Sequence, residues 1–460
     1  MHVKFLLIAA LLVIVFPTPA LAQVTNPNLA DIDDTLKQIT LTRGTRELDR
    51  VDESRYALRG SCTLILQADD KPIDNGEVHL DSEDAVLIIE KFRPTQVRDL
   101  FLSKLSVDGE IAKLGYNVRL TPFVNGTLVQ AHGSDYKPLT TYNQTQYNGE
   151  GRAFSQHKYY KAKELGEDND KIISFVLKRG YMATFAQNQD GTGESKVYIA
   201  RDRDLKIAQL PSGLREEVSF IRVFPWRWTA KKGFGGKYQN ALNLESYWRY
   251  DWGAGGPSTL DMEYVPMKHN GKWPSFKQIN SLQHVTHLLG FNEPMKEKQG
   301  NLTMEQCLNL WPKLQASGLR LGSPCTTDGT IDWLYEFMDK AKARGYRVDF
   351  VTVHYYKGGW SDEQFIAWMR AIHEKTGLPL WVTEFNNGAD WVKGHNPSLQ
   401  QNASALLRYS KAMDECDFIE RYAVFNLHHG NRAIISKGGD LTPAGKAYRD
   451  NLSAEAYQGR

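Results

Sequence analysis

Tryptophan is missing from the first half of this 460-residue chain: all eleven lie between Trp226 and Trp391, so any aromatic binding surface belongs to the second half. Cysteine is scarce. Cys62, Cys307, Cys325 and Cys416 are too few for a disulfide scaffold and show no C-x-x-C spacing for zinc. A Cys307–Cys325 bridge and buried free thiols both remain open for an oxidising compartment. Neither sign of charge dominates, since 56 Lys+Arg against 54 Asp+Glu leave +2, and no basic block tracks phosphate, so nucleic acid is not an expected partner. Low-complexity tracts are absent too, and 41% hydrophobic with 24% charged residues describes a globular chain.

Long apolar runs are lacking beyond the N-terminus. There Met1 to Lys4 supply a positive end, Phe5 to Phe16 an apolar stretch, and Ala20-Leu21-Ala22 a small-x-small site before Gln23. This pattern predicts a signal peptide over 1–22 and a secreted protein, extracellular or periplasmic, with no membrane span, because the stretch falls short of the roughly twenty residues a spanning helix needs.

The remainder follows two patterns, and a multidomain protein is expected. Over 23–210 short alternating runs such as 61–67, 85–90, 116–121, 172–177 and 181–185 are broken by turn residues, including Asp74-Asn75-Gly76 and Asn188-Gln189-Asp190-Gly191. Hairpin-type spacing of this kind predicts an all-β, sandwich-like accessory domain. Over 214–460 short apolar strands alternate with helical patterns, which predicts a parallel sheet. Eight strands are expected at 219–224, 244–249, 262–265, 285–289, 319–323, 350–354, 380–383 and 422–426, with helices at 303–317, 332–344, 361–376 and 398–414. A length near 250 residues fits an α/β (β/α)8 TIM barrel.

Barrel chemistry collects where strands end. Glu293, in Leu289-Gly290-Phe291-Asn292-Glu293-Pro294, closes the fourth expected strand, and Glu384, in Trp381-Val382-Thr383-Glu384-Phe385, closes the seventh. Paired carboxylates at one pocket suit glycoside hydrolysis, one group protonating the leaving oxygen and the other attacking the anomeric carbon. Asn292 is placed to meet the sugar 2-hydroxyl. Sugar C–H faces stack on aromatic rings, so Trp226, Trp228, Tyr250, Trp252, Trp273, Trp360 and Trp391 are expected around the mouth, with Trp311, Trp333 and Trp368 packing helices. His428 and His429 lack a third metal ligand at useful spacing, so neither metal nor cofactor is expected.

Leu288 to Pro294, Val265-Pro266-Met267, Val353-His354-Tyr355-Tyr356 and Leu380 to Phe385 together resemble glycoside hydrolase family 128, over roughly 219–447. That resemblance implies a retaining endo-β-1,3-glucanase with Glu293 as general acid/base, Glu384 as nucleophile, and His354 and Tyr356 supporting the nucleophile. Tyr355 stands where a Trp is common in the family, and Ala423-Val424-Phe425-Asn426 lacks the Trp that the clan often places beneath the reacting sugar. A polysaccharide or oligosaccharide substrate and a monomeric state are the corresponding expectations. The rivals are another retaining hydrolase of the same clan and a non-catalytic carbohydrate-binding protein. On chemical grounds Glu293 is expected to have a raised pKa in an aromatic-walled site.

Overall fold

The computed structural model describes residues 36–457 apart from 125, 426 and 427, so the expected signal peptide over 1–22 lies outside the described residues. From Lys37 onward the chain forms one compact unit. It contains several β-sheets together with helices.

Over 37–89 the strands do not pair as hairpins, although farther on Arg119–Val124 and Gly126–Gln130 do. Lys37–Leu41, Ser54–Leu58, Glu77–Leu80 and Leu105–Val107 lie parallel in one sheet, while Gly44–Leu48, Cys62–Leu66 and Val86–Ile89 lie parallel in another. The chain thus alternates between two sheets and lays each strand beside the one two strands earlier. Leu58, Leu64, Leu66, Val78, Leu80, Leu87 and Ile89 fill one buried core between them. Period-2 alternation marks one buried face and is silent on strand direction, so it cannot distinguish this coiled arrangement from an antiparallel sandwich. Gly76 leads into a parallel strand, and a Cβ there would stand 2.6 Å from the Ser54 carbonyl oxygen. Asn188 to Gly191 do join an antiparallel pair, Tyr181–Ala186 with Ser195–Ala200.

The first strand expected in the second half is the clearest correction. Phe220–Pro225 forms, but it pairs antiparallel with Tyr181–Ala186 and Tyr159–Lys161. Its place in the parallel set is taken by β1, Lys232–Gly235. The others are β2 (Trp248–Tyr250), β3 (Glu263–Tyr264), β4 (His287–Leu288), β5 (Arg320–Leu321), β6 (Val351–Tyr355), β7 (Leu380–Phe385) and β8 (Ile419–Phe425). Parallel pairings or bridges lead from each to the next, and β8 pairs with β1. β1 escaped the hydrophobic pattern because Ala230-Lys231-Lys232-Gly233 reads as polar. Both lysines are nevertheless buried, their ammonium groups bonded to carbonyls at helix C-terminal ends: Lys231 to Met413 and Cys416, Lys232 to Arg449 and Asn451. Carbonyls left unpaired by the last helical turn satisfy a cation that the interior would otherwise reject.

Helices connect the strands. Asp362–Thr376 begins at a reciprocal cap in which Ser361 Oγ accepts from Gln364 N and Gln364 Oε1 accepts from Ser361 N at 3.0 Å. Met304–Gln315, Ile331–Ala343 and Leu399–Glu415 fall within a residue or two of expectation. Inside the strand circuit Trp381 stacks on Phe350 at 4.2 Å and tilts against Trp248 at 5.2 Å. Nearby, Glu263 pairs with Arg421 at 2.9 Å and His287 at 3.0 Å, and Arg320 with Glu420 at 2.8 Å, all buried. The four cysteines are buried free thiols, so no Cys307–Cys325 bridge forms. No described helix is long and apolar enough to cross a membrane.

Candidate active site

Strand direction decides which residues meet. Glu293 lies just beyond β4 and Glu384 within β7, and both face a cavity of about 400 Å³ also lined by Trp252, His269, Asn292, Lys296, Tyr356, Trp391 and Phe425. Glu293 adopts φ 40° and Trp252 φ 59°, left-handed values uncommon for non-glycine residues. The Glu293 amide donates to the Cys325 carbonyl at 3.0 Å, which fixes that turn.

His354, on β6, sits between the two acids. Its Nδ1 is 2.8 Å from Glu293 Oε1 and 3.3 Å from Glu384 Oε2, and one oxygen of each acid lies within 4.8 Å of the other and of Nδ1. Burial opposes a charge on His354, but Cys325, Glu384 and Glu293 outweigh it and raise its pKa well above 6.5. These three residues are the described cluster whose spacing would admit a metal ion, yet a protonated Nδ1 has no lone pair to offer.

The two carboxylates have different surroundings. Glu384 accepts from Tyr356 OH, from Trp252 Nε1 at 2.8 Å and, more distantly, from Tyr250 OH at 3.4 Å. Burial first, and then Glu384, pushes both phenols well above their usual range, so they stay donors. Glu293 is held by His354 on one oxygen and by Lys296 Nζ at 2.8 Å on the other. Burial alone would raise its pKa, but His354 and then Lys296 lower it to about 2. The expectation of a raised value therefore does not describe the unliganded site, because two cations hold the ionised form in place.

The other expected residues divide. Trp252 and Trp391 reach the cavity, and Trp391 packs against Tyr356 at 5.0 Å with its side chain largely exposed. Trp273 stands beside His269 at 5.7 Å, at the rim. Tyr250 is fully buried and touches Glu384 in place of solvent. Asn292 donates to Gln299 at 3.1 Å, and its Oδ1 is buried without a partner. Trp226, Trp228 and Trp360 are not at the mouth. The first two belong to the buried core, because the strand they follow lies in the antiparallel sheet, and Trp360 packs on Tyr355 under Lys357. His428 rests against Trp391 and Asp390. Sequence reasoning missed Lys296, His269 and Phe425; a basic residue three positions past a strand-end acid was the one available signal.

Known proteins resemble the second half of the chain. A family model described as glycosyl hydrolase catalytic core matches residues 228–448. An endo-β-1,3-glucanase of glycoside hydrolase family 128, subgroup I, from Amycolatopsis mediterranei, solved with laminaritriose, is 31% identical across 48% of this chain and 98% of its own, at a TM-score of 0.43. This chain belongs to glycoside hydrolase family 128. A subgroup II endo-β-1,3-glucanase from Sorangium cellulosum is 26% identical over 48% of this chain and 98% of its own, at a TM-score of 0.42. A subgroup VII oligosaccharide-binding protein from Trichoderma gamsii is 21% identical over 48% and 93%, at 0.41. No curated protein matches. The family 128 chain carries a glycoside hydrolase core, and the matched part of the sequence contains both acids, His354 and the strands that bear them.

Proposed function

We propose that this family 128 protein is a secreted, retaining endo-hydrolase of a β-1,3-linked glucan. Its catalytic residues would lie on a (β/α)8 barrel over 214–460, behind an N-terminal β-rich accessory domain. The observation that carries the mechanism is the approach of Glu293 and Glu384 within 4.8 Å on either side of His354. Retaining glycosidases need their carboxyl groups ~5 to 5.5 Å apart, too close for an intervening water, whereas inversion needs ~6.5 Å or more. The circuit of eight parallel segments supports the barrel reading.

In the first step Glu384 attacks the anomeric carbon, the glycosidic C–O bond breaks, and Glu293 gives its proton to the departing oxygen. In the second, Glu293 takes a proton from water, which displaces Glu384 and restores the starting configuration. Tyr356 and Trp252 hold the attacking carboxylate in one rotamer. Glu293 must exchange its contact with Lys296 for a proton and the glycosidic oxygen, and Lys296 is 43% exposed, so that contact costs little to break. Trp391 and Trp273 offer faces for neighbouring sugars.

Digestion of laminarin, curdlan, mixed-linkage glucan, xylan, mannan and agar, with products sized and their anomeric configuration followed by NMR, tests this directly. Laminari-oligosaccharides of several lengths, released first as the β-anomer, are expected. Release of glucose alone, inversion, or cleavage confined to another polysaccharide would defeat the proposal.

A further inference from the structure

A second cavity lies at the other end of the parallel strands. It measures about 260 Å³, and its walls include Arg119, Arg227, His157 and His284, with no carboxylate among the lining residues. Thr286 lines it just before β4, so it faces away from Glu293 and Glu384.

The cations here lack counter-charge. Arg227 spends one of its five donors on the Thr259 carbonyl at 2.8 Å and pairs with no carboxylate among the described residues. The two acids whose charge reaches it are engaged elsewhere: Glu263 with Arg421 and His287, Asp261 with the amide and hydroxyl of Thr95. Arg119 faces the carbonyls of Gly180 and Trp226 and stacks over Tyr181. His157 and His284 meet edge to face at 4.7 Å, and neither ring has a hydrogen-bond partner among the described residues. Both hold left-handed backbones, φ 65° and 59°, and such strain persists where surrounding structure enforces it, commonly at ligand sites. Burial, followed by His284 and the neighbouring arginines, lowers His157 to about 3, so its imidazole is neutral near pH 7.

We propose that this cavity binds an organic carboxylate, its charge on Arg227 and the two imidazoles and its carbon skeleton against Leu120, Pro122, Pro225 and Leu260. A planar carboxylate matches the guanidinium fork, and apolar walls favour an organic anion over a free inorganic one. The inference does not depend on the hydrolase reading.

Calorimetric titration of the full chain with sodium benzoate, sodium D-glucuronate and sodium phosphate at constant ionic strength tests it. Saturable binding of at least one carboxylate is expected, weakened about tenfold or more by Arg227→Gln. His284→Asn, which keeps a residue tolerant of positive φ, should also weaken it while hydrolysis is unchanged. No saturable carboxylate binding, phosphate binding more tightly than both carboxylates, or equal binding by wild type and His284→Asn would each overturn the proposal. The last arm stands even where Arg227→Gln fails to fold.

Discussion

Replacing Lys296 by Met should move the pH dependence of hydrolysis upward. Glu293 has a pKa of about 2 in the free site against an ordinary 4.5, with His354 the stronger lowering influence and Lys296 the weaker. Lys296 Nζ is 2.8 Å from Glu293 Oε2 but the side chain is 43% exposed, so solvent screens its charge. Its removal should raise the Glu293 pKa by up to about one unit, or ~1.4 kcal/mol. An acid that must be protonated to act loses activity as pH rises through its pKa, so the alkaline limb of kcat/KM, which reports the free enzyme, moves to higher pH. Stability shifts with the same sign. A carboxyl whose folded pKa is depressed stabilises the fold above its ordinary pKa, and that contribution fades between about 4.5 and about 2, so the variant should lose less melting temperature on acidification. The assay is a pH series on laminarin beside an aryl glycoside with a good leaving group, for which acid assistance is dispensable and no shift should appear. An alkaline limb that stays in place, or moves to lower pH, would refute the reasoning.

Two further substitutions bear on the site and on the core. Glu384→Gln should abolish laminarin hydrolysis and cost about 1–3 kcal/mol of stability, because its amide nitrogen either faces Trp252 Nε1, which can only donate, or turns to Tyr356 OH and deprives that hydroxyl of its acceptor; normal turnover in a purified sample would remove the nucleophile from the mechanism. Glu263→Gln should cost about 3–5 kcal/mol in denaturant titration, since it strips the charge from a buried pair with Arg421. A loss below about 1 kcal/mol would mean that the Arg320–Glu420 pair and His287 compensate.

Much of the second half could be read without coordinates. Strand-end acids announce themselves by position, and the cap at Ser361 by its Gln three residues on. What escaped has a common cause: pattern reading assumes that lysine is outside and tryptophan at a wet edge. Lys231 and Lys232 break the first assumption by bonding helix-end carbonyls, and Trp226 and Trp228 the second by filling a core beneath a sheet that the sequence assigned elsewhere. The expected raised pKa of Glu293 failed for a related reason. Spacing along the chain placed an acid near aromatics and was silent on the two cations that fold against it.

By itself the order of residues determined the family, the strand-end positions of Glu293 and Glu384 and most helix limits, because these depend on local chemistry and on motifs a few residues long. Strand partnership, the parallel coil of the N-terminal strands and the meeting of His354 with both carboxylates were decided by tertiary structure alone. Such contacts join residues far apart in the chain, and no local periodicity records which distant surface a buried face will meet.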